Sequence, residues 1–327
     1  MKHPPLSIVL IGGVVLVLGL AVLSLSVGRI WIPLATFLND ADTTQRAILL
    51  GLRVPRTLLA MLVGGGLALC GAALQGYTRN PLADPGILGV SPMAALGAVT
   101  TLYLGLNTTP WVLPAAAVGG AMLGIVLLLL LARLTGGVVT FLLAGVVLQS
   151  LAGAGVALAL SLAPNPWAIN EIVNWLLGSL QDRSVNELQL ATPFVLVGAA
   201  LIFTTRRALD ALTLGETGAR ALGIELDTTR VLLVLGVGLV AGGCVAVTGV
   251  ISFVGLVVPH LVRPLVGARP GRLLFPSALG GAALVLAADM LVRLTPAAAE
   301  LRLGVALSVL GAPFFLLLLV QQRRRLA

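Results

Sequence analysis

Residues 57–76 read TLLAMLVGGGLALCGAALQG and lead directly into YTRNPLADPGILGVSP at 77–92. The first segment is 20 residues without a charge, enough for an α-helix to cross a hydrocarbon layer about 30 Å thick. Gly64, Gly65, Gly66 and Gly71 would weaken a helix in water, whereas in a bilayer small residues let helix backbones approach closely. The second segment breaks the helix with Pro81, Pro85, Gly86 and Gly89. Unwound backbone at membrane depth is tolerated only where it is buried in protein or lines a cavity. A charge-free span followed by such a break is the pattern of a polytopic membrane protein. The break itself is either a tight connecting turn or part of a pathway.

The rest of the chain agrees. Of its 327 residues 58% are hydrophobic and 10% charged, and the mean hydropathy is +1.09. Soluble proteins carry about 25% charged residues, and one globular domain of this length could not bury so much apolar surface. A soluble enzyme, a disordered chain and a collagen-like repeat are excluded. Apolar runs at 6–27, 57–76, 90–106, 112–132, 138–162, 190–205, 231–250, 251–266, 273–291 and 303–320 predict an all-α polytopic membrane protein. They give about ten transmembrane helices in a single domain, 1–327. The run at 6–27 exceeds the apolar core of about 7–15 residues expected of a cleaved signal peptide, so it is read as the first span.

A net charge of +8 and a pI near 11.1 would suggest nucleic acid if the protein were soluble. Here the basic residues occupy short gaps between apolar runs, so they are orientation signals, and the partner is membrane lipid rather than nucleic acid. With both termini cytoplasmic, Lys2, Arg79, Arg133, Arg206, Arg207, Arg220, Arg230, Arg263, Arg269, Arg272 and Arg323–Arg325 lie inside. Arg29, Arg46, Arg53, Arg56, Arg183, Arg293 and Arg302 then lie outside, 7 against 13. That bias obeys the positive-inside rule. Cys70 and Cys244 sit within apolar runs without metal or redox spacing and are read as packing residues.

At an offset of 178 positions Gly64, Gly65, Gly71, Pro81, Gly89 and Pro92 line up with Gly242, Gly243, Gly249, Pro259, Gly267 and Pro270. Five spans separate the two copies, and an odd number inserts them with opposite orientation. Repeat halves at about 50–165 and 228–327 form an inverted internal repeat, a transporter architecture.

No catalytic constellation accompanies this pattern. The histidines are His3 and His260, no His, Cys and carboxylate cluster has metal-ligand spacing, and no phosphate-binding G-x-x-x-x-G-K-[ST] loop occurs; the one lysine is Lys2. The chain is therefore not an ATPase, and pumped transport would need a partner or an ion gradient. Asp289 is the one acidic residue inside a span, and Arg293, four residues on, shares its helix face. A local ion pair explains it more simply than a proton relay does.

Seven segments, in order from about residue 50 to the C-terminus, carry a family resemblance. They are RVPR at 53–56, RNPLADPGILGVS at 79–91, LLAG at 142–145, LGETGARALG at 214–223, FVGLVVPH at 253–260, ADMLVR at 288–293 and LGAPF at 310–314. Together they resemble the FecCD-type permeases, the membrane subunits of ABC importers for iron–siderophores, haem and vitamin B12.

The resemblance implies roles for particular residues. The cytoplasmic loop 206–230 would dock on an ATPase subunit through Leu214, Gly215, Glu216, Ala219, Arg220, Leu222 and Gly223, with Glu216 and Arg220 at helical i,i+4 spacing. A short amphipathic helix suits a partner groove; a solvated connector is the plainer alternative. On the outer face Arg53, Arg56 and Arg293 match positions that receive acidic residues of a periplasmic binding protein, as guanidinium forks do well. Arg302 and Glu300 are weaker candidates for the same rim.

The family lines its pathway with spans five and ten of two permease copies. Gln149, Ser150 and Ser308 are the polar candidates there, with Asn80 and Pro81 in the break. Some relatives carry small hydroxyl residues at the entrance to span five, where this chain has Val138 and Val139 before Thr140, so a hydrophobic constriction is expected. The segment 163–190 is too polar for a span and is expected to hold a short helix over the cavity mouth, with Trp167 and Trp175 as interfacial anchors.

The resulting expectation is the permease of a bacterial ABC importer in the inner membrane. It would work as a homodimer with two cytoplasmic ATPase subunits, which hold ATP and Mg, and a periplasmic binding protein; no cofactor belongs to this chain. The cargo would be an iron chelate, haem or cobalamin. The rival is an ion-coupled secondary transporter. A membrane enzyme or receptor is disfavoured by the lack of a reactive cluster.

Overall fold

The computed structural model describes residues 4–28, 30–37, 43–107, 109–135, 138–295 and 301–326. The helices are α1 Leu6–Ser26, α2 Thr43–Ile48, α3 Val54–Thr78, α4 Val90–Tyr103, α5 Val112–Thr135, α6 Val138–Ser161 and α7 Pro166–Leu176. They continue with α8 Val185–Thr204, α9 Arg206–Ala211, α10 Gly215–Ala221, α11 Leu226–Thr248, α12 Val254–Val266, α13 Pro270–Leu294 and α14 Leu303–Leu326. Among the described residues 7 spans are long and apolar enough to cross a membrane, and α4, α12 and α14 are shorter apolar helices. Each expected apolar run coincides with one of these helices, and α7 is the short helix expected within 163–190.

The ends of the helices follow local chemistry that hydropathy alone does not weigh. The run at 190–205 begins earlier, at Val185, because Ser184 and Glu187 form a capping box: the Ser184 N–H and hydroxyl donate to Glu187 Oε2 at 2.8 and 2.7 Å. Upstream of 57–76, α2 passes through a π turn at Leu49–Arg53 straight into α3, where Pro55 is tolerated in the first turn.

α3 and α11 are the centre of the bundle, with 78% of an 18-residue apolar stretch buried in each, while the corresponding stretch of α1 is 6% buried and lies at its edge. Glycine permits close contact: a Cβ on Gly64 of α3 would strike the Gly281 carbonyl and lie 2.8 Å from Val285 Cβ, both on α13. Gln75 closes the joint between α3 and α12. Pro259 removes the N–H that would serve the Gly255 carbonyl, and Gln75 Nε2 donates to the Gly255 and Leu256 carbonyls at 3.3 Å each. Arg263 in turn donates to Gln75 Oε1 at 2.8 Å.

The series α3–α4–α5–α6 and α11–α12–α13–α14 exchange partners. α3 packs on α13 and α12, and α11 packs on α5 and α4. A constant offset of 178 positions is not their register, however. It pairs Gly71 inside α3 with Gly249 beyond the end of α11, and Pro81 in a link with Pro259 inside α12. The residue that opens α12 as Gly89 opens α4 is Phe253, left-handed at φ 70 against 74. Backbone shape repeats there without the glycine that would mark it.

Candidate functional site

α3 sets the scale of the functional geometry. Its 25 residues rise about 1.5 Å each, so Arg56 in its first turn and Tyr77 at its other end are separated by more than the roughly 30 Å of a hydrocarbon core. One cluster gathers at each end.

At the Arg56 end, Asp289 of α13 is fully buried between two guanidiniums. Arg56 donates Nε to its two oxygens at 3.0 and 3.1 Å and Nη2 to Oδ1 at 2.7 Å. Arg293 donates Nε to Oδ2 at 2.8 Å and adds a second contact through Nη2. The pairing expected within α13 is present, and a second arginine from α3 joins it. Arg293 Nη1 also reaches the Ser24 and Val27 carbonyls at 2.9 and 3.4 Å. Arg53 Nη1 takes the Leu25 and Ser26 carbonyls at 2.8 and 2.6 Å, and its Nη2 contacts the Ile30 carbonyl. A helix leaves its last four carbonyls without internal donors. At the end of α1 all four are met by Arg53 and Arg293, cations placed where the helix dipole favours them.

Arg53, Arg56 and Arg293 thus come together as the sequence pairs them, but Arg53 and Arg293 are buried and committed to internal acceptors. All three line a cavity of about 250 Å3 with Arg183 and Asp182. Arg183 lies in the link before α8; burial pulls its guanidinium below the ordinary arginine range, against the opposing fields of Glu187 and Asp182. Arg302 donates to Asn174 Oδ1 at 3.2 Å, and Glu300 lies outside the described residues.

Midway, a cavity of about 320 Å3 is lined by Asp84, Pro85, Gly86, Ser91, Gln149 and Ser252 among others. The helix break brings Asp84 there, half-buried, its Oδ1 accepting the Gly86 N–H at 2.9 Å. Gln149 and Ser150 are exposed on α6. Ser308 bonds its own helix at the Gly304 carbonyl, 2.8 Å away, and Thr140 is half-buried in the first turn of α6. Asn80 and Pro81 are elsewhere. Asn80 Oδ1 accepts the Leu82 N–H at 3.0 Å, and Pro81 lines a separate cavity of about 280 Å3 with Arg79 and Arg263. The side chains of Val138 and Val139 lie outside the described residues.

At the Tyr77 end, α10 is a seven-residue helix between two glycines of positive φ, Gly215 at 87 and Gly223 at 79. Ala219 packs inward while Leu214 and Leu222 are 68% and 63% exposed. Glu216 and Arg220 approach to 3.9 Å across one turn. Below α10, Arg230 of α11 donates Nε to the Tyr77 hydroxyl at 3.0 Å, and the Tyr77 ring meets Phe141 of α6 edge-on at 5.7 Å. A side-chain path therefore runs from the α10 end to the first turn of α6.

Among the described residues no three His, Cys, Asp or Glu side chains gather as a metal site. Residues 15–321 match the FecCD transport family.

The chain belongs to the FecCD transport family.

Its relatives include the Fe(3+) dicitrate transport system permease protein FecD of Escherichia coli, 41% identical over 93% of this chain and 96% of FecD. The hemin transport system permease protein HmuU of Yersinia pestis is 38% identical over 98% of this chain and 96% of HmuU. A solved inward-facing metal-chelate type ABC transporter superposes with a TM-score of 0.87 at 31% identity, covering 95% of this chain and 98% of that one. As a FecCD protein the chain is a multi-pass permease subunit of a bacterial ABC importer, and ATP hydrolysis resides in a partner ATPase. Membership sets aside the secondary-transporter reading. Asp84, Tyr77, Arg230 and Arg183 escaped the sequence reading: Tyr77 and Arg230 meet across 153 positions, and the cavities that Asp84 and Arg183 line are made by packing of distant segments.

Proposed function

We propose that this FecCD permease imports a metal chelate, an iron–carboxylate or iron–siderophore complex or haem, across the inner membrane. It works as a homodimer with two ATPase subunits at the α10 end and a periplasmic binding protein at the arginine end, and both termini are cytoplasmic. The observation that carries this reading is the polarity of α3. A short helix flanked by the exposed Leu214 and Leu222, suited to a partner groove, lies at one end and an arginine cluster at the other, separated by a membrane thickness. The cargo class is favoured by the ferric citrate and hemin permeases among its relatives; cobalamin is the competing cargo.

The second copy is supported by α6. Gln149 and Ser150 are exposed on the helix that also exposes Leu143, Val147 and Leu151. A polar side chain facing lipid is costly, so this face suits a water-filled pathway at a dimer axis. ATP-driven closure of the ATPases would move α10. The Arg230–Tyr77–Phe141 contacts offer a route to the entrance of α6, where Val138, Val139 and Thr140 form the proposed constriction. Reconstitution with its ATPase and binding protein tests the reading. Uptake of an iron chelate should require internal ATP and external binding protein. Uptake driven by an ion gradient without the ATPase would overturn it, and uptake of cobalamin alone would replace the cargo.

A further inference from the structure

We infer that Arg79 and Arg263, at the Tyr77 end of α3, form a site for a phosphate group, supplied either by free inorganic phosphate or by the headgroup of an anionic phospholipid. The two guanidiniums line one cavity of about 280 Å3 where the end of α3, the end of α12 and the start of α13 meet. Gln75, Thr213 and Pro270 line it as well, and no carboxylate stands among its lining residues. Neither arginine belongs to an ion pair among the described residues.

Arg263 is half-buried and held in place. Its Nη2 donates to Gln75 Oε1 at 2.8 Å, and Gln75 is fixed in turn by donating Nε2 to the Gly255 and Leu256 carbonyls. The Nε and Nη1 of Arg263 make no hydrogen bond among the described residues and remain for a ligand. Arg79 ends α3 in the left-handed conformation at φ 52, a position where glycine is usual. Its side chain is exposed and makes no hydrogen bond among the described residues. It reaches toward the start of α10, since a Cβ on Gly215 would stand 3.7 Å from Arg79 Nη1. Asp210 of the neighbouring α9 does not line the cavity, and its Oδ1 already accepts the Gly271 N–H at 2.8 Å.

Two guanidiniums without a carboxylate between them favour an anion that has oxygens for both. The fork of one arginine can occupy both oxygens of a carboxylate, whereas a phosphate group keeps further oxygens for a second fork. Basic pockets between transmembrane helices on the cytoplasmic side also suit phospholipid headgroups, and the Tyr77 end is the one proposed to be cytoplasmic. A phosphate group bound here would tie the end of α3 to α12 beside α10, across the joint that Gln75 closes.

The test is phenylglyoxal footprinting of the permease–ATPase complex in nanodiscs, read arginine by arginine by mass spectrometry. Nanodiscs leave both faces open to the reagent, so a reversed orientation of the chain would not alter the readout, and phosphate held by the ATPase does not enter it. In phosphatidylcholine nanodiscs inorganic phosphate should slow modification of Arg79 and Arg263 about tenfold relative to chloride of equal ionic strength. Arg207, exposed on α9 and outside the cavity, should react alike in both. Protection in phosphatidylglycerol nanodiscs without free phosphate assigns the group to lipid, and protection by inorganic phosphate alone assigns it to solution. Equal modification of Arg79 under all these conditions, or protection that Arg207 shares equally, overturns the site. Arg79 unmodified throughout would mean that protein fills the pocket, and overturns it too. In an assembled Arg263→Gln complex the protection of Arg79 should be lost; protection that persists unchanged overturns the pairing of the two arginines. If Arg263→Gln does not assemble, the wild-type footprint decides.

Discussion

Arg56 of α3 and Asp289 of α13 lie 233 positions apart in sequence, and the Arg56 Nη2 stands 2.7 Å from the Asp289 Oδ1. Arg293 holds the other carboxylate oxygen, so one buried charge joins α3 and α13 and, through the carbonyls on Arg293, the end of α1. Removing one member of a buried ion cluster strands the others. Asp289→Asn should therefore cost about 3–5 kcal/mol, read as a fall in the melting temperature of the detergent-solubilised protein. A proton-relay role would instead leave stability nearly intact and change the pH dependence of transport.

Arg53 predicts a smaller, local effect. Arg53→Gln uncovers the Leu25 carbonyl at the end of α1, where an unmet acceptor costs about 1–3 kcal/mol, while the Ser26 carbonyl keeps the Ile32 N–H at 3.2 Å. Limited proteolysis should cut near residues 27–33 faster in the variant, with the α10 end unaffected. Equal cleavage would show that water replaces the guanidinium at no loss.

The two exposed leucines beside α10 predict a partner contact. Leu214→Ser and Leu222→Ser remove apolar anchors without touching the core, and loss of an interface anchor costs about 2 kcal/mol or more. ATPase co-purification should fall while the variants keep the wild-type melting temperature. Retention of the ATPase by the double variant would place the interface elsewhere.

Tyr77→Phe deletes only the hydroxyl that accepts from Arg230 and keeps the edge-on contact with Phe141. A buried hydrogen bond to a charged group contributes about 1.5–3 kcal/mol. The variant should hydrolyse ATP but move less substrate per ATP. An unchanged ratio would remove this contact from the coupling route.

The spans were readable because a helix crossing a bilayer needs a long charge-free run, and 57–76 is such a run. The extension of α3 back through Leu49–Arg53 was not, because Pro55 reads as a boundary when it is an early-turn residue of a longer helix. Half of the Asp289 site was legible: Arg293 follows at i+4, whereas Arg56 arrives only by the packing of α3 on α13. The register of the repeat misled because identical glycines and prolines were matched, while the fold places Phe253 in the left-handed position that Gly89 holds. Arg183 looks like an ordinary loop cation beside Asp182 and Ser184. That its buried Nε lacks an acceptor among the described residues is a three-dimensional property.

The central claim is that the two ends of α3 answer different partners across the membrane. It is tested most directly by photo-crosslinking in the assembled complex, with a photoreactive amino acid at Leu222 in one preparation and at Arg56 in another. The account predicts that the Leu222 position captures the ATPase subunit alone and the Arg56 position captures the binding protein alone. Capture of the ATPase from Arg56, or of the binding protein from Leu222, would contradict it.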